Sequence, residues 1–281
     1  MVAISRQTVA DEIKRQQALT QEIAKAQISV SSKKRLNAPS DDVHAWVEIS
    51  EIGRMQSSYA AWTQNIGYGV SRSEKALTNL QQINSLMIQA KDLLLQASSS
   101  PTGDSGRAAI AEELKSVREA VAEMLNETDY QGIPVFDDTT TVKIPVGRGI
   151  QLEAVGTRQA IGEGIDVEGT AMTLDDILGS AITAVSTGDD ADRETALKAL
   201  GFGLDHVIQE QAKQGIRSER LSSIADRVQD IVLTLKERRS TLEDTDLTET
   251  IAKMQQNLLT LEAAQSAFAR INRQSLFDLI S

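Results

Sequence analysis

The sequence predicts a mainly α protein: a long antiparallel helical rod, coiled-coil helices supplied by both chain ends, and a small β-rich insertion. Three observations carry this expectation. Near the C-terminus, Leu247, Ile251, Met254, Leu258, Leu261, Phe268 and Leu279 fall on one alternating four-three ladder, the seam of a helix that packs lengthwise on another. The composition is rich in Ala, Leu, Ile and Gln with only 3% aromatic residues, which suits long helices joined by thin seams better than one thick core. Between residues 132 and 169 the period changes, glycine becomes frequent, and apolar residues alternate with polar ones.

A first helix is expected from about Ser5 to Arg35. Val2, Val9, Ile13, Ile23 and Val30 repeat the C-terminal ladder more weakly, interrupted by Arg6, Gln16, Thr20 and Gln27. The two ends therefore look complementary. Each is only half-apolar, and isolated helices draw most of their stability from tertiary packing, so the ends are expected to order fully only within an assembly. Leu36-Asn37-Ala38-Pro39 breaks the helix, because a residue before proline is pushed out of the helical region. Ser40 is the expected N-cap of the next helix, with Asp41 and Asp42 in its first turn, where the helix dipole favours negative charge.

A heptad ladder then runs from Ala45 through Ile49, Ile52, Tyr59, Ile66, Ser73, Leu80, Asn84 and Met87 to Leu94. That predicts one helix of about 80 Å at 1.5 Å per residue, bent or thinned at Gly67 and Gly69. Residues 98–103 form a turn by composition. A following helix carries Ile110, Leu114, Val117, Val121, Met124 and Leu125 to about Thr128, folding back along the first. Val142, Ile144, Val146, Ile150 and Leu152 predict one or two small hairpins. Thr173 caps a short helix from Leu174 to Val185. A third long helix follows the Gly188-Asp189-Asp190 turn, carrying Leu197, Leu204, Val207, Gln211, Gln214, Leu221, Val228 and Leu242 in phase until Glu243-Asp244-Thr245-Asp246 interrupts it. The expected division is a terminal coiled-coil domain (1–40 with 243–281), a helical rod domain (41–131 with 188–242) and an outer insertion (132–187).

The net charge of −11 is uneven. Residues 1–40 hold seven basic and three acidic side chains, whereas residues 243–281 hold three basic and six acidic. Lys33-Lys34-Arg35 reads as a helix end whose cations oppose the negative dipole pole rather than as a nucleic-acid site, since no aromatic residue interleaves the run. The absence of cysteine excludes disulfides and thiolate metal sites. No run of apolar residues is long enough to span a membrane. Arg6, Asp11, Glu12, Lys14 and Arg15 leave no apolar stretch for a cleavable signal.

Chemistry-bearing motifs find bland explanations. Gly147-Arg148-Gly149 and Gly162-Glu163-Gly164 precede strand-like residues rather than a helix, so hairpin turns account for them better than a phosphate loop. Asp189, Asp190, Asp192 and Glu194 lack the order of a calcium loop and fit helix capping. His44 and His206 stand far apart with no ligand pattern around them. No nucleophile–base spacing accompanies the Ser and Thr residues. No catalytic residue, cofactor or metal ligand is assigned, and the chain is not expected to be an enzyme.

Lys33 to Asp42, a basic helix end followed by Asn37-Ala38-Pro39-Ser40-Asp41-Asp42, resembles the N-terminal signature of the bacterial flagellin and hook-associated protein 3 family. The Pro39-Ser40 version is closer to the hook–filament junction members than to filament flagellins. Ala263 to Phe268 and Gln274 to Ile280 resemble the C-terminal ending of the same members, and Asn126 to Phe136 resembles the turn where the family leaves the rod. The resemblance covers roughly residues 1–136 and 190–281. It implies an extracellular flagellar structural subunit, exported without a cleaved signal peptide, that connects hook to filament. Its implied partners are copies of itself, other hook-associated proteins or flagellin, and an export chaperone, with neither nucleic acid nor a membrane span. Val9, Ile13, Ile23, Leu247, Ile251, Met254, Leu258, Leu261, Phe268 and Leu279 are the expected assembly contacts, and Asn37, Pro39, Ser40, Asp41 and Asp42 the signature turn. Two alternatives stand beside this: filament flagellin itself, and a helical adaptor whose basic N-terminus binds an anionic polymer or surface.

Overall fold

The computed structural model describes residues 2–99, 103–129 and 131–277, with side chains described between 9 and 270. It is mainly helical. The long helices are α1 (Val2–Ser32), α2 (Val43–Ala97), α3 (Asp104–Asn126), α6 (Asp190–Glu243) and α7 (Leu247–Phe277). Between α3 and α6 lie two antiparallel hairpins, β1 (Lys143–Gly147) with β2 (Ile150–Glu153) and β3 (Ile165–Val167) with β4 (Thr170–Met172), and two short helices, α4 (Arg158–Gly162) and α5 (Leu174–Ser186). The described residues form two compact units, Met1–Ser57 with Ile231–Ser281, and Ser58–Asp230. Helices α2 and α6 contribute residues to both.

The Ser58–Asp230 unit holds the well-packed core. Ile83, Met87 and Leu94 of α2 meet Leu114, Val117 and Val121 of α3, Ile177, Leu178 and Ala181 of α5, and Leu200 and Val207 of α6, all buried. The contacts fix α2 and α6 as antiparallel: as the chain advances along α2, Gly69 lies by Leu221, Ser73 by Gln214, Asn84 by Gln211, and Met87 by Gly203. Helix α5 begins at the expected Thr173 cap, which the structure completes as a capping box, with Thr173 Oγ1 accepting from the Asp176 amide at 3.0 Å and the Asp176 carboxylate accepting from the Thr173 amide at 3.1 Å.

In the first hairpin Ile144, Val146 and Leu152 alternate into the core, whereas Val142 and Ile150, on the same predicted ladders, are exposed. It sits against α2 at Gly69, where a Cβ would stand 2.8 Å from Ile144 Cδ1 and 3.5 Å from Leu221. Gly69 therefore lets a strand approach the helix, and α2 continues through it unbroken. The second hairpin turns at Glu168 and Gly169, both with positive φ (52° and 89°), the geometry of a two-residue type I′ turn.

Two buried polar clusters fasten the insertion to the helices. Arg72 Nη2 meets Asp137 Oδ1 at 2.9 Å and Pro134 O at 3.1 Å, while Asp137 Oδ2 accepts from the Val142 amide at 2.7 Å. Gln214, on α6, donates to Ser73 Oγ and Ala154 O, both at 2.8 Å, and accepts from the Gly156 amide at 3.1 Å. Such groups are tolerated in a core because each finds its partners. The turn after α3 is organised by Asp129, whose Oδ1 accepts from the amides of Gln131 and Ile133. It ends on buried Phe136.

Candidate assembly interface

In the Met1–Ser57 and Ile231–Ser281 unit, α1 and α7 lie side by side and antiparallel. Asn257 Nδ2 donates to Glu22 Oε2 at 3.0 Å, and further along the pair the Thr245 amide donates to Lys33 O at 3.1 Å. Among the described side chains of the two helices, Ile23, at 6% exposure, is the one buried residue of the core. Val9, Met254, Leu261 and Phe268 are half-buried. Ile13 (45% exposed), Leu247, Ile251 and Leu258 (42% exposed) keep large apolar surface in water. Leu279 lies outside the described residues.

Exposed apolar residues continue onto the first turns of α2, at Val43, Trp46 and Val47, and α7 adds Leu259 at 67% exposure. These residues lie off the heptad phase, so periodicity does not mark them. An apolar residue out of phase in an otherwise regular ladder was the available signal. Two thinly covered helices with this much exposed apolar surface form a candidate interaction face.

The joint where α1, α2, α6 and α7 meet is built from polar contacts. Lys33, with φ +59°, ends α1 two or three residues before the expected limit. Beyond it the chain pairs with the end of α6: Lys34 bridges to Asp244, and the Arg35 amide donates to Glu243 O at 2.7 Å. The Arg35 guanidinium donates to Leu242 O at 2.9 Å, and the Lys34 ammonium meets the Glu243 carboxylate. Lys34 and Arg35 thus meet the C-terminal pole of α6, a neighbour's helix end, rather than the end of their own helix. The Arg239 hydrogen bond, reinforced by Lys34, holds the Glu243 carboxyl below its ordinary value.

The turn at Asn37 to Asp42 corrects the sequence expectation. Ser40 is not the N-cap and Asp42 is not in the first turn: α2 begins at Val43, and Asp42 Oδ1 accepts from the Ala45 amide at 3.0 Å. Pro39 and Ser40 instead form a tight turn closed by the Asp41 amide on Ala38 O at 3.0 Å. The Asp41 carboxylate accepts from the amides of Asn37 and Ala38 at 3.0 and 2.9 Å, which lowers its pKa. Two adjacent aspartates thus have separate tasks, one folding the turn and one starting the helix. Leu36, Ala45 and Ile52 are buried around this joint.

The other motifs resolve structurally. Asp189 and Asp192 cap α6 reciprocally, each carboxylate accepting from the other's amide. His206 Nε2 lies 2.9 Å from Ala160 O, and His44 is exposed. Among the described residues no group of three or more His, Asp or Glu side chains is placed to hold a metal ion, and no helix is long and apolar enough to cross a membrane.

Comparison with known proteins adds a second line. Residues 4–141 match the bacterial flagellin N-terminal helical region, and residues 197–280 match the bacterial flagellin C-terminal helical region. Flagellar hook-associated protein 3 of Escherichia coli is 24% identical over 89% of this chain and 90% of its own length. Flagellin of Halalkalibacterium halodurans is likewise 24% identical, over 89% of this chain and 88% of its own. Among solved structures, a flagellar hook-associated protein from Vibrio parahaemolyticus superposes with a TM-score of 0.65 at 18% identity, covering 73% of this chain and 100% of its own. Flagellar hook associated protein-3 from Legionella pneumophila superposes with a TM-score of 0.62 at 9% identity, over 69% of this chain and 98% of its own. At these identities the superpositions establish the fold.

Proposed function

This chain belongs to the bacterial flagellin family, and from that premise we propose that it is a structural subunit of the flagellum, the protein that joins hook to filament. The observation that carries the assembly reading is the α1–α7 pair, in which Ile23 is buried while Ile13, Ile251 and Leu258 stay exposed. A pair so thinly covered gains most by packing against the same helices of neighbouring subunits, forming a continuous apolar layer. Val9, Ile13, Ile23, Leu247, Ile251, Met254, Leu258, Leu261, Phe268 and Leu279 supply that layer in this reading. The polar turn at Asn37, Pro39, Ser40, Asp41 and Asp42 sets where α2 leaves it.

The division of labour follows the three-part plan: residues 1–40 with 243–281 assemble, 41–131 with 188–242 form the supporting helices, and 132–187 is the outer insertion. The chain reaches the flagellum without a cleaved signal peptide, escorted by an export chaperone, and contacts copies of itself and other hook-associated proteins or flagellin. The role is structural, with no catalytic step, cofactor or metal.

Filament flagellin is the second reading, favoured by the equal similarity to the Halalkalibacterium flagellin. Position decides between them. Fluorescently labelled protein in intact flagella is expected as a short band where hook meets filament. Label along the whole filament would reject the junction role.

A further inference from the structure

We propose that the groove between the β1–β2 hairpin and α6 is a docking site for the acidic outer face of α3 on a second copy of this chain. The proposal rests on the assembly reading above. The groove has a volume of about 620 Å³ and is lined by Lys143, Leu152, Glu153, Lys213, Arg217 and Arg220, among others. One of its cations is already answered, Lys213 meeting Glu210 at 2.6 Å, and Lys143 stands opposite Glu153 in the strand register. Arg217 and Arg220 form no ion pair among the described residues. The Arg217 guanidinium lies over Gly156, with Nη1 3.3 Å from where a Cβ would stand. That nitrogen is buried without a hydrogen-bond partner. Ile216, 68% exposed, adds apolar surface at the rim.

The complementary surface is on α3. Glu112, Glu119 and Glu123, at offsets of seven and eleven residues, share one helix face and are exposed. Glu112 is answered by Lys115, whereas Glu119 and Glu123 form no ion pair among the described residues. Glu119 and Glu123 are four residues apart and Arg217 and Arg220 three, so two carboxylates one helical turn apart face two guanidinium groups one turn apart. All four residues belong to the Ser58–Asp230 unit, where the two pairs do not satisfy each other. Copies carrying −11 each repel at long range, so approach requires a local match of opposite charge. A contact that uses a different patch on each partner propagates as a ring or a helix rather than stopping at a dimer, as an axial structure requires.

The chain has no cysteine, which makes the test direct. Two full-length single-cysteine chains, Arg220→Cys and Glu119→Cys, are co-expressed in cells, and isolated flagellar structures are treated with a bismaleimide. Mixed cross-linked pairs are expected, in excess over pairs of either chain with itself. Both chains incorporated but no mixed product would overturn the docking site. Chains absent from flagellar structures altogether, with the wild-type chain absent too, would instead overturn the assembly reading. As a second arm, Arg217→Glu with Arg220→Glu is expected to lower incorporation about tenfold. Adding Glu119→Arg and Glu123→Arg to the same chain is expected to restore it. Failure of the swapped chain to recover while remaining folded by circular dichroism would also overturn the proposal.

Discussion

At the scale of single residues, the helix starts and the clamps on the insertion make the sharpest claims. Asp42, not Ser40, satisfies a free amide of α2, so Asp42→Ala is expected to cost about 1 kcal/mol and Ser40→Ala close to nothing by urea denaturation. The sequence marked this stretch as a helix start but misplaced the cap, because three consecutive polar residues after proline are each competent N-caps. Only the Pro39-Ser40 turn decides among them. Arg72 and Asp137 are both buried and bonded. Arg72→Ala leaves a buried carboxylate without its cation and is expected to destabilise the Ser58–Asp230 unit by about 3–5 kcal/mol in the same measurement. Nothing in the local sequence announced this pair, which lies 65 residues apart and depends on where the loop after α3 lands. Gln214 and Ser73 were visible only as polar interruptions of apolar ladders, and their meeting explains the interruptions.

The joint also carries a pH dependence. The folded-state pKa values of Glu243 and Asp41 lie below their ordinary values of 4.5 and 3.8, by the Arg239 and Lys34 contacts for one and the Asn37 and Ala38 amides for the other. Groups of this kind stabilise the fold fully above their unfolded pKa values. As pH falls, the unfolded state takes up protons first, and the contribution is lost as pH passes down through the lowered folded values. The joint is therefore expected to loosen below about pH 4.5, and Glu243→Gln to flatten that response in a pH series of thermal melts.

At the scale of elements, long periodic helices were legible because a heptad phase held over fifty residues leaves little competing structure. The hairpins were legible from alternation and glycine, and α5 from its Thr173 cap. Helix α4 was not, since one and a half turns leave no period to read. Gly69 was legible as an exception within a helix, but its purpose depends on a strand 75 residues later. The α1–α7 pair carries the functional prediction at this scale. Leu258 is exposed in the single chain, so Leu258→Asp is expected to leave the thermal transition of the Ser58–Asp230 unit unchanged while abolishing incorporation into flagellar structures. Normal incorporation of that variant would remove Leu258 from the seam.

At the scale of the whole molecule, the two units differ in how they are held. Ser58–Asp230 has a continuous core of fully buried Leu, Ile and Met drawn from four helices. The other unit relies on Leu36, Ala45 and Ile52 around a polar joint, with a helix pair that, among the described side chains, buries one apolar residue and leaves several exposed. Local stability follows buried apolar contact, so the second unit should open far more readily than the first. The family resemblance was readable because both ends carry signature residues around a shared plan. The exposed cap of Val43, Trp46 and Val47 and the arginine groove were not, because each becomes a surface only after folding.

Amide hydrogen exchange of the free chain and of the same chain within assembled flagella tests the central claim most directly. In the free chain, amides of α1 and α7 are expected to exchange orders of magnitude faster than those of the α2, α3 and α6 segments within Ser58–Asp230, and to become protected on assembly. Terminal helices already as protected in the free chain as that core, with no further protection in the flagellum, would contradict it.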